Sequence, residues 1–388
     1  MPKLAKKEWC TGCGACLCIC PQNAVEMRED NQGFWYPWVN EKYCVECGLC
    51  TNTCPLLKEE VSFAIPNKVY GLKMLQKEEL SACSSGGAFL LFARQILDQG
   101  GHVFGAAFTP DLLLEHQEAK DISQVLPLLK SKYLQSRADT VYLRIRELLG
   151  DNIPVLFCGT GCQIRGLKSF LQEKAFSPQL FCVAIVCHGV PSPGVWKKYR
   201  YEREKQQHAK MTQMDFRSNA GGISLKATFS NGKIINYGAW NDPYVRAFLK
   251  DFCLRNCCYD CHAKLAHNDA DLTIGDFWGA EKSLPNLMGE DKRLSLVIPQ
   301  TEKGSVLLQK ILPYTMWDTC PIEDGISHNP SIVFSSSKNE KIDIFWKYYC
   351  IMPFFKTMNY CEIGGKFEQI RRGLYDRWKS LKSFDFHL

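Results

Sequence analysis

An α+β chain of two unequal parts is what the sequence predicts, and three observations carry that reading. Cysteines crowd into residues 1–60 in a repeated spacing, the stretch LLKEEVSFAIPN (56–67) mixes charge with proline as a boundary does, and from Lys68 short apolar runs alternate with helical stretches. The expected division is a small domain over residues 1–60 and a larger mixed α/β domain over residues 68–388, with a helical extension from about 338.

The first part is defined by Cys10-x2-Cys13-x2-Cys16-x3-Cys20-Pro21 and its second copy, Cys44-x2-Cys47-x2-Cys50-x3-Cys54-Pro55. Three closely spaced thiolates wrap three corners of an iron-sulfur cube, and the fourth cysteine, turned away by proline, ligates the neighbouring cube, as in bacterial two-cluster ferredoxins. The spacing therefore predicts a bacterial-type ferredoxin domain with two [4Fe-4S] clusters. One is held by Cys10, Cys13, Cys16 and Cys54, the other by Cys44, Cys47, Cys50 and Cys20. A structural zinc site uses two separated pairs rather than runs of four ending in Cys-Pro, and a disulfide framework fits the pattern no better. Cys18 lies outside the pattern and reads as a spectator.

Composition narrows the setting. With 388 residues, 46% of them hydrophobic, the chain can bury a large core, and its net charge of +6 is spread among interleaved acids and bases, which implies no nucleic acid. The opening MPKLAKKEWC has no apolar h-region, and no apolar run reaches the roughly 20 residues of a membrane span. No transmembrane segment and a reducing cytoplasm are expected, where 21 cysteines stay free for iron. Near the C-terminus Lys366, Arg371, Arg372, Arg377, Lys379 and Lys382 accompany Phe367, Ile370, Leu374, Trp378 and Leu381 at helical spacing, an amphipathic stretch expected to dock its apolar face on its own domain.

In the second part, VYGLKML (69–75) reads as a strand. Ser84 and Ser85 stand where an N-cap belongs, ahead of GGAFLLFARQILDQ with its apolar three- and four-residue steps, and Gly100-Gly101 stops that helix. Val103–Phe108 returns as a strand. Helical stretches around Val125–Lys130 and Thr140–Leu149 precede the apolar run Pro154–Cys158, which leads into Gly159-Thr160-Gly161-Cys162 and a helix to Phe170. LFCVAIVC (180–187) is a wholly apolar strand, and beyond Pro193 come a helix and a hairpin at Asn231-Gly232. Ligands of α/β folds collect beyond the carboxyl ends of strands, so Gly159–Cys162 and Cys187–Gly189 are expected to face one cavity.

Cysteines concentrate again in Cys253-x3-Cys257-Cys258-x2-Cys261-His262. Cys258 and Cys261 have metal-ligand spacing, and Cys162 and Cys187 could complete a third four-thiolate set; equally, these are small buried residues beside a structural pair, and spacing alone slightly favours that reading. Neither a G-x-G-x-x-G nor a G-x4-G-K-[ST] loop is present. The loop at Gly159 and the helix start at Ser84 nevertheless offer backbone amides suited to phosphate, and a flavin dinucleotide is a chemically sensible guest, because it converts between the single electrons of clusters and the pairs of metabolites.

At these loops the chain resembles the coenzyme F420 hydrogenase/dehydrogenase beta-subunit family over roughly residues 68–300, with the ferredoxin unit fused ahead. The resemblance rests on Ser84-Ser85-Gly86-Gly87, Gly100-Gly101-His-Val-Phe-Gly-Ala-Ala, Ser131-Lys132-Tyr133-Leu134-Gln135-Ser136 and Val155-Leu-Phe-Cys-Gly159-Thr160-Gly161-Cys162-Gln163-Ile164. Further on it continues through Cys187-His188-Gly189-Val190-Pro191-Ser192-Pro193, Phe216-Arg217, Arg255-x2-Cys258-Tyr-x-Cys261 and Gly275-Asp276-Phe277-Trp278-Gly279. It implies FAD bound near Ser84, Ser85, Gly86, Gly87, Lys132, Tyr133, Gln135, Ser136, Gly159 and Thr160, and a third [4Fe-4S] cluster on Cys162, Cys187, Cys258 and Cys261. One departure stands out: Gly161 replaces the family's usual proline and is expected to loosen the turn that aims Cys162.

The expected function is a cytoplasmic FAD-dependent iron-sulfur oxidoreductase that passes electrons from a ferredoxin-like donor to a small-molecule substrate, with His188 as proton donor. The alternative is an electron-relay subunit of a larger hydrogenase or dehydrogenase, possibly using coenzyme F420. The fused ferredoxin unit and the form of the Ser131–Ser136 motif favour another acceptor over F420.

Overall fold

The computed structural model describes residues 2–59, 62–218, 222–289 and 291–363. The basic stretch from Lys366 to Lys382 lies outside them.

Fourteen strands are described. The N-terminal unit contains the antiparallel hairpin β1 (Val25–Glu29) and β2 (Trp35–Val39). Then follow β3 (Lys68–Met74), β4 (His102–Phe108), β5 (Leu114–Ala119), β6 (Ser136–Arg137), β7 (Val155–Gly159) and β8 (Leu180–Ile185). The last are β9 (Met211–Asp215), β10 (Ser224–Phe229), β11 (Ile234–Gly238), β12 (Leu272–Asp276), β13 (Ser295–Pro299) and β14 (Thr315–Pro321). Nine of them form one mixed sheet in the order β14-β3-β13-β12-β8-β7-β4-β5-β6. Parallel pairing at its centre, β4 with β7, β7 with β8 and β8 with β12, explains the continuous apolar runs of β7 and β8, since both faces are covered. The helices Ala88–Leu97 and Glu302–Ile311 pack one face through Leu91, Ile96, Leu307 and Leu308. Tyr142–Gly150 and Gly161–Leu171 cover the other through Tyr142, Ile145, Ile164 and Leu167.

A second core joins the small sheet β11-β10-β9 to the helices Pro193–Gln207, Pro243–Leu249 and Ile342–Tyr349, with Trp196, Tyr199, Tyr244 and Phe345 buried between them. The helix Phe354–Ile363 follows, within the extension expected from about 338.

Three local expectations need correction. The helix starting at Ala88 is entered through Gly87 in the left-handed region (φ +90), not through a serine cap. Ser84 Oγ accepts from Ser131 N (2.9 Å) and Ser85 Oγ donates to Leu294 O (2.7 Å), so both hydroxyls tie loops together. Val125–Lys130 is no helix but a turn at Ile122–Val125 and a 3-10 turn at Leu126–Leu128, because Pro127 cannot continue an α-helix. The polar-looking β5 escapes a pattern reading, yet it pairs along all of β4 and buries Leu114, His116 and Ala119.

Candidate functional site

Two cavities in the N-terminal unit are each walled by four thiols and otherwise almost wholly apolar side chains. Cys10, Cys13, Cys16 and Cys54 line one together with Met27, Pro37 and Leu56; Cys20, Cys44, Cys47 and Cys50 line the other with Val25, Val39 and Leu49. The chain thus gathers the crossed sets. Left-handed backbone at Gly12 (φ +70) and Gly14 (φ +77), and at Glu46 (φ +53) and Gly48 (φ +74), turns each Cys-x2-Cys-x2-Cys run around its cavity. Such turns point successive amides inward, toward an anionic guest. Cys18 faces neither cavity and lies against Asp139 O (3.4 Å).

The Cys10 side of this unit is pressed on the body. A methyl group on Gly166, inside the helix Gly161–Leu171, would meet Cys13 Cβ at 2.5 Å, so the glycine is what lets Cys13 approach. Ser169 Oγ donates to Thr53 O (2.6 Å), and Lys58 Nζ to Ser169 Oγ (2.9 Å). Gln135 spans the junction: its Nε2 donates to Thr11 O (3.1 Å) and its Oε1 accepts from Arg255 (3.1 Å).

Beside that contact lies a cavity of about 850 Å³, counted to its open mouth, lined by Cys162, Cys187, Cys258 and Cys261. Trp9, Thr11, Pro55 and Leu56 of the N-terminal unit form part of the same wall. Cys162 comes from the first turn of its helix, where Thr160 Oγ1 lies 3.1 Å from its sulfur; Cys187 follows β8. Burial pushes the Cys162 thiol up to about 12 and raises Cys187 and Cys261 as well, whereas Cys258 is lowered, first by a hydrogen bond from Cys257. Such thiols surrender their protons only to a strong electrophile such as iron. Gly161 does not loosen the turn: a Cβ there would meet Ala263 O at 2.3 Å, so the missing side chain lets the 263–268 segment close over the helix start.

Two buried cations bracket these thiols. Arg255 is wholly buried and Lys264 nearly so, and among the described residues neither is paired with a carboxylate. Lys264 Nζ donates to Cys187 O (2.7 Å) and Ser331 O (3.0 Å). Buried cations need a counter-charge, and a cube ligated by four thiolates is anionic. Among the described residues no three of His, Cys, Asp or Glu converge as ligands of one ion do. The thiols surround volumes instead, which suits four-iron cubes better than tetrahedral zinc.

His188 lines this cavity, but its Nε2 is turned to Asp251 Oδ1 (2.5 Å). The other expected site residues divide into two groups. Ser84, Lys132 and Tyr133 stand at the carboxyl end of the sheet, where Arg217 donates to Ser84 O (2.9 Å), Asp276 Oδ2 (2.8 Å) and Tyr133 Oη (3.3 Å). Burial pushes the Lys132 ammonium down to about 7, and its Nζ donates to Leu129 O (2.7 Å). Ile185, although in a central strand, is 42% exposed, which marks an open crevice above it. Ser136, Gly159 and Thr160 instead support the Cys162 helix: Gln163 binds Ser136 Oγ (2.9 Å) and Thr160 N (3.0 Å) and sits against Gly159. Gly86 and Gly87 are packed on Leu72 and Met74.

Residues 154–325 match the family model for the C terminus of the coenzyme F420 hydrogenase/dehydrogenase beta subunit, and residues 9–56 match that for a 4Fe-4S dicluster domain. The chain belongs to this beta-subunit family, with an iron-sulfur dicluster domain ahead of it. A search of curated proteins finds no match. Among solved structures, the chain is similar to one in the F420-reducing [NiFe] hydrogenase complex from Methanosarcina barkeri, at 17% identity and a TM-score of 0.46, over 77% of this chain and 92% of that one. The family assignment makes the chain an iron-sulfur protein of an oxidoreductase type that handles electrons. Among the described residues no helix is long and apolar enough to cross a membrane.

Reading the sequence missed Arg217, Asp251, Gly166 and Arg255 as site-building residues. Arg217 and Arg255 lie within motifs quoted for the resemblance, yet an arginine ordinarily reads as surface, and no local pattern announces that it is buried.

Proposed function

We propose that this chain is an electron-relay subunit that works with a partner oxidoreductase, in preference to a free-standing reductase of a small organic substrate. The observation that carries the proposal is the shared wall of the large cavity, where Thr11 and Pro55, neighbours of Cys10 and Cys54, face Cys162, Cys187, Cys258 and Cys261. When bound, [4Fe-4S] clusters supply one-electron transfer. The chain's contribution is order: an outer thiol set beside exposed Cys47, Val45 and Tyr43, an inner set pressed on the Cys162 helix, and a third set in the body. The family's description as a hydrogenase or dehydrogenase beta subunit favours a partner subunit over an independent enzyme.

The same reading seats FAD in the crevice above Ile185, supported by the cationic wall of Arg217 and Lys132 and by the loop at Ser84. FAD would exchange single electrons for pairs there. The acceptor beyond it is F420 or another two-electron carrier, delivered or held by the partner. His188, fixed by Asp251, would lend a proton at the cavity edge.

Anaerobic purification with iron, sulfide and flavin analysis tests this. About twelve irons per chain are expected, falling by about four in Cys258→Ala. The relay should reduce dyes from a low-potential donor and copurify with an oxidoreductase. About eight irons in the wild type would remove the third centre, and turnover of an organic substrate by the lone chain would overturn the relay reading.

A further inference from the structure

Arg255 stands between the inner and third thiol sets. Its Nε donates to Cys10 O (2.7 Å), one Nη reaches Gln135 Oε1 (3.1 Å), and the other donates to Trp35 O (2.8 Å) and lies 3.9 Å from Cys10 Sγ. The guanidinium also sits over the ring of Tyr36, 4.2 Å from its centroid. Gly12 has no room for a side chain because the guanidinium fills the space, with Nη1 2.9 Å from where a Cβ would stand. From the other end, the Arg255 carbonyl accepts from Cys258 N (2.9 Å). One residue therefore grips the Cys10 loop with its side chain and the Cys258 turn with its backbone, and no carboxylate among the described residues neutralises it.

We propose that Arg255 is the positioning residue that couples the inner centre to the body, and that its fixed charge holds the inner centre's reduction potential above the outer one's. The proposal rests on the relay reading. Adding an electron makes a thiolate-ligated cube more negative, so a buried cation beside Cys10 favours the reduced form, and net charge and hydrogen bonds to sulfur are the levers a protein has on cluster potential. The outer set, Cys20, Cys44, Cys47 and Cys50, makes no hydrogen bond or ring contact with Arg255 and includes an exposed cysteine. The resulting difference would bias electrons inward from the exposed outer centre.

The test is an EPR-monitored redox titration of the full-length, anaerobically purified protein, resolving the two N-terminal centres. In Arg255→Met the inner centre should fall relative to the outer by at least tenfold in the electron partition, 59 mV for one electron, while Arg255→Lys should restore most of the difference. Gln135→Glu supplies a second route that keeps the arginine: a carboxylate in place of the amide neutralises the guanidinium and should lower the inner potential in the same direction. If Arg255→Met loses its clusters, the Gln135→Glu measurement decides alone. Hydrogen exchange should also rise at Thr11–Gly12 and Trp35–Tyr36 in Arg255→Met. Full iron with unmoved potentials in Arg255→Met and Gln135→Glu, or an equal fall of both centres, overturns the role of Arg255 and leaves the relay standing. Wild-type protein without iron at the inner set overturns both.

Discussion

Replacing Gly166 by alanine puts a methyl group where Cys13 already lies. In an ordinary helix interior the exchange stabilises by about 1 kcal/mol, because glycine loses more backbone freedom on folding. Here the new Cβ would stand 2.5 Å from Cys13 Cβ and 2.9 Å from its sulfur, with Tyr142 Oη at 3.0 Å. Normal contact begins about 1 Å farther out, so either the Cys13 loop or the helix must retreat. Tyr142 cannot give way easily, since it is fully buried and its hydroxyl donates to Gln163 O (3.0 Å). Overpacking of this kind costs about 1–3 kcal/mol, which cancels or outweighs the helix gain. The expected result is a net change between neutral and a loss of about 2 kcal/mol, with depletion or an altered EPR signal of the inner centre while the outer one is unchanged. Thermal unfolding under anaerobic conditions, iron analysis and EPR on the same samples measure it, with Gly222→Ala, where nothing lies within 4 Å, as control. A Gly166→Ala protein about 1 kcal/mol more stable than wild type, with full iron and an unchanged inner-centre signal, would show that Cys13 is not pressed on this helix.

Burial lowers His116 from 6.5 to about 4, so between those values the unfolded chain binds a proton that the fold does not. Stability should therefore rise with pH through that window, and about 3 kcal/mol is lost as pH falls from 6.5 to about 4; His116→Gln should flatten this part of a denaturation-versus-pH curve. Asp242 is fully buried, accepts from Tyr199 Oη (2.7 Å) and Arg203 Nη2 (2.9 Å), and caps the helix Pro243–Leu249 through Tyr244 N (2.9 Å). Asp242→Ala strands a buried cation and should cost about 3–5 kcal/mol in a denaturant titration, and Asp242→Asn less. A Cβ on Gly86 would lie 2.0 Å from Leu72 O, so Gly86→Ala should lower the melting temperature whether or not flavin is bound; an unchanged melt would contradict this packing.

What was legible in the candidate site follows the range of the interactions involved. The crossed thiol sets could be read because cluster ligation imposes a local spacing, and the structure gathers the same residues around two cavities. Spacing left Cys162 and Cys187 undecided, since they lie far from Cys258 in sequence and only the sheet brings their loops to one wall. Gln135, Ser136, Gly159 and Thr160 come from motifs associated with flavin binding, yet here they brace the N-terminal unit and the Cys162 helix. A motif records that residues belong together and is silent on which neighbour they face.

By itself the sequence determined the division at residues 56–67, the ferredoxin-type unit, the apolar central strands β7 and β8 and the helix stops, because each depends on local spacing, period or backbone freedom. Only the tertiary structure decided the strand order, with the polar β5 paired against β4, and the use of Gly86, Gly161 and Gly166 as points of close contact instead of flexibility. It alone buried Arg255 and Lys264 without acids beside the third thiol set. Charge compensation and close packing act through space between residues more than a hundred positions apart, and such pairings leave no period in the sequence from which to read them.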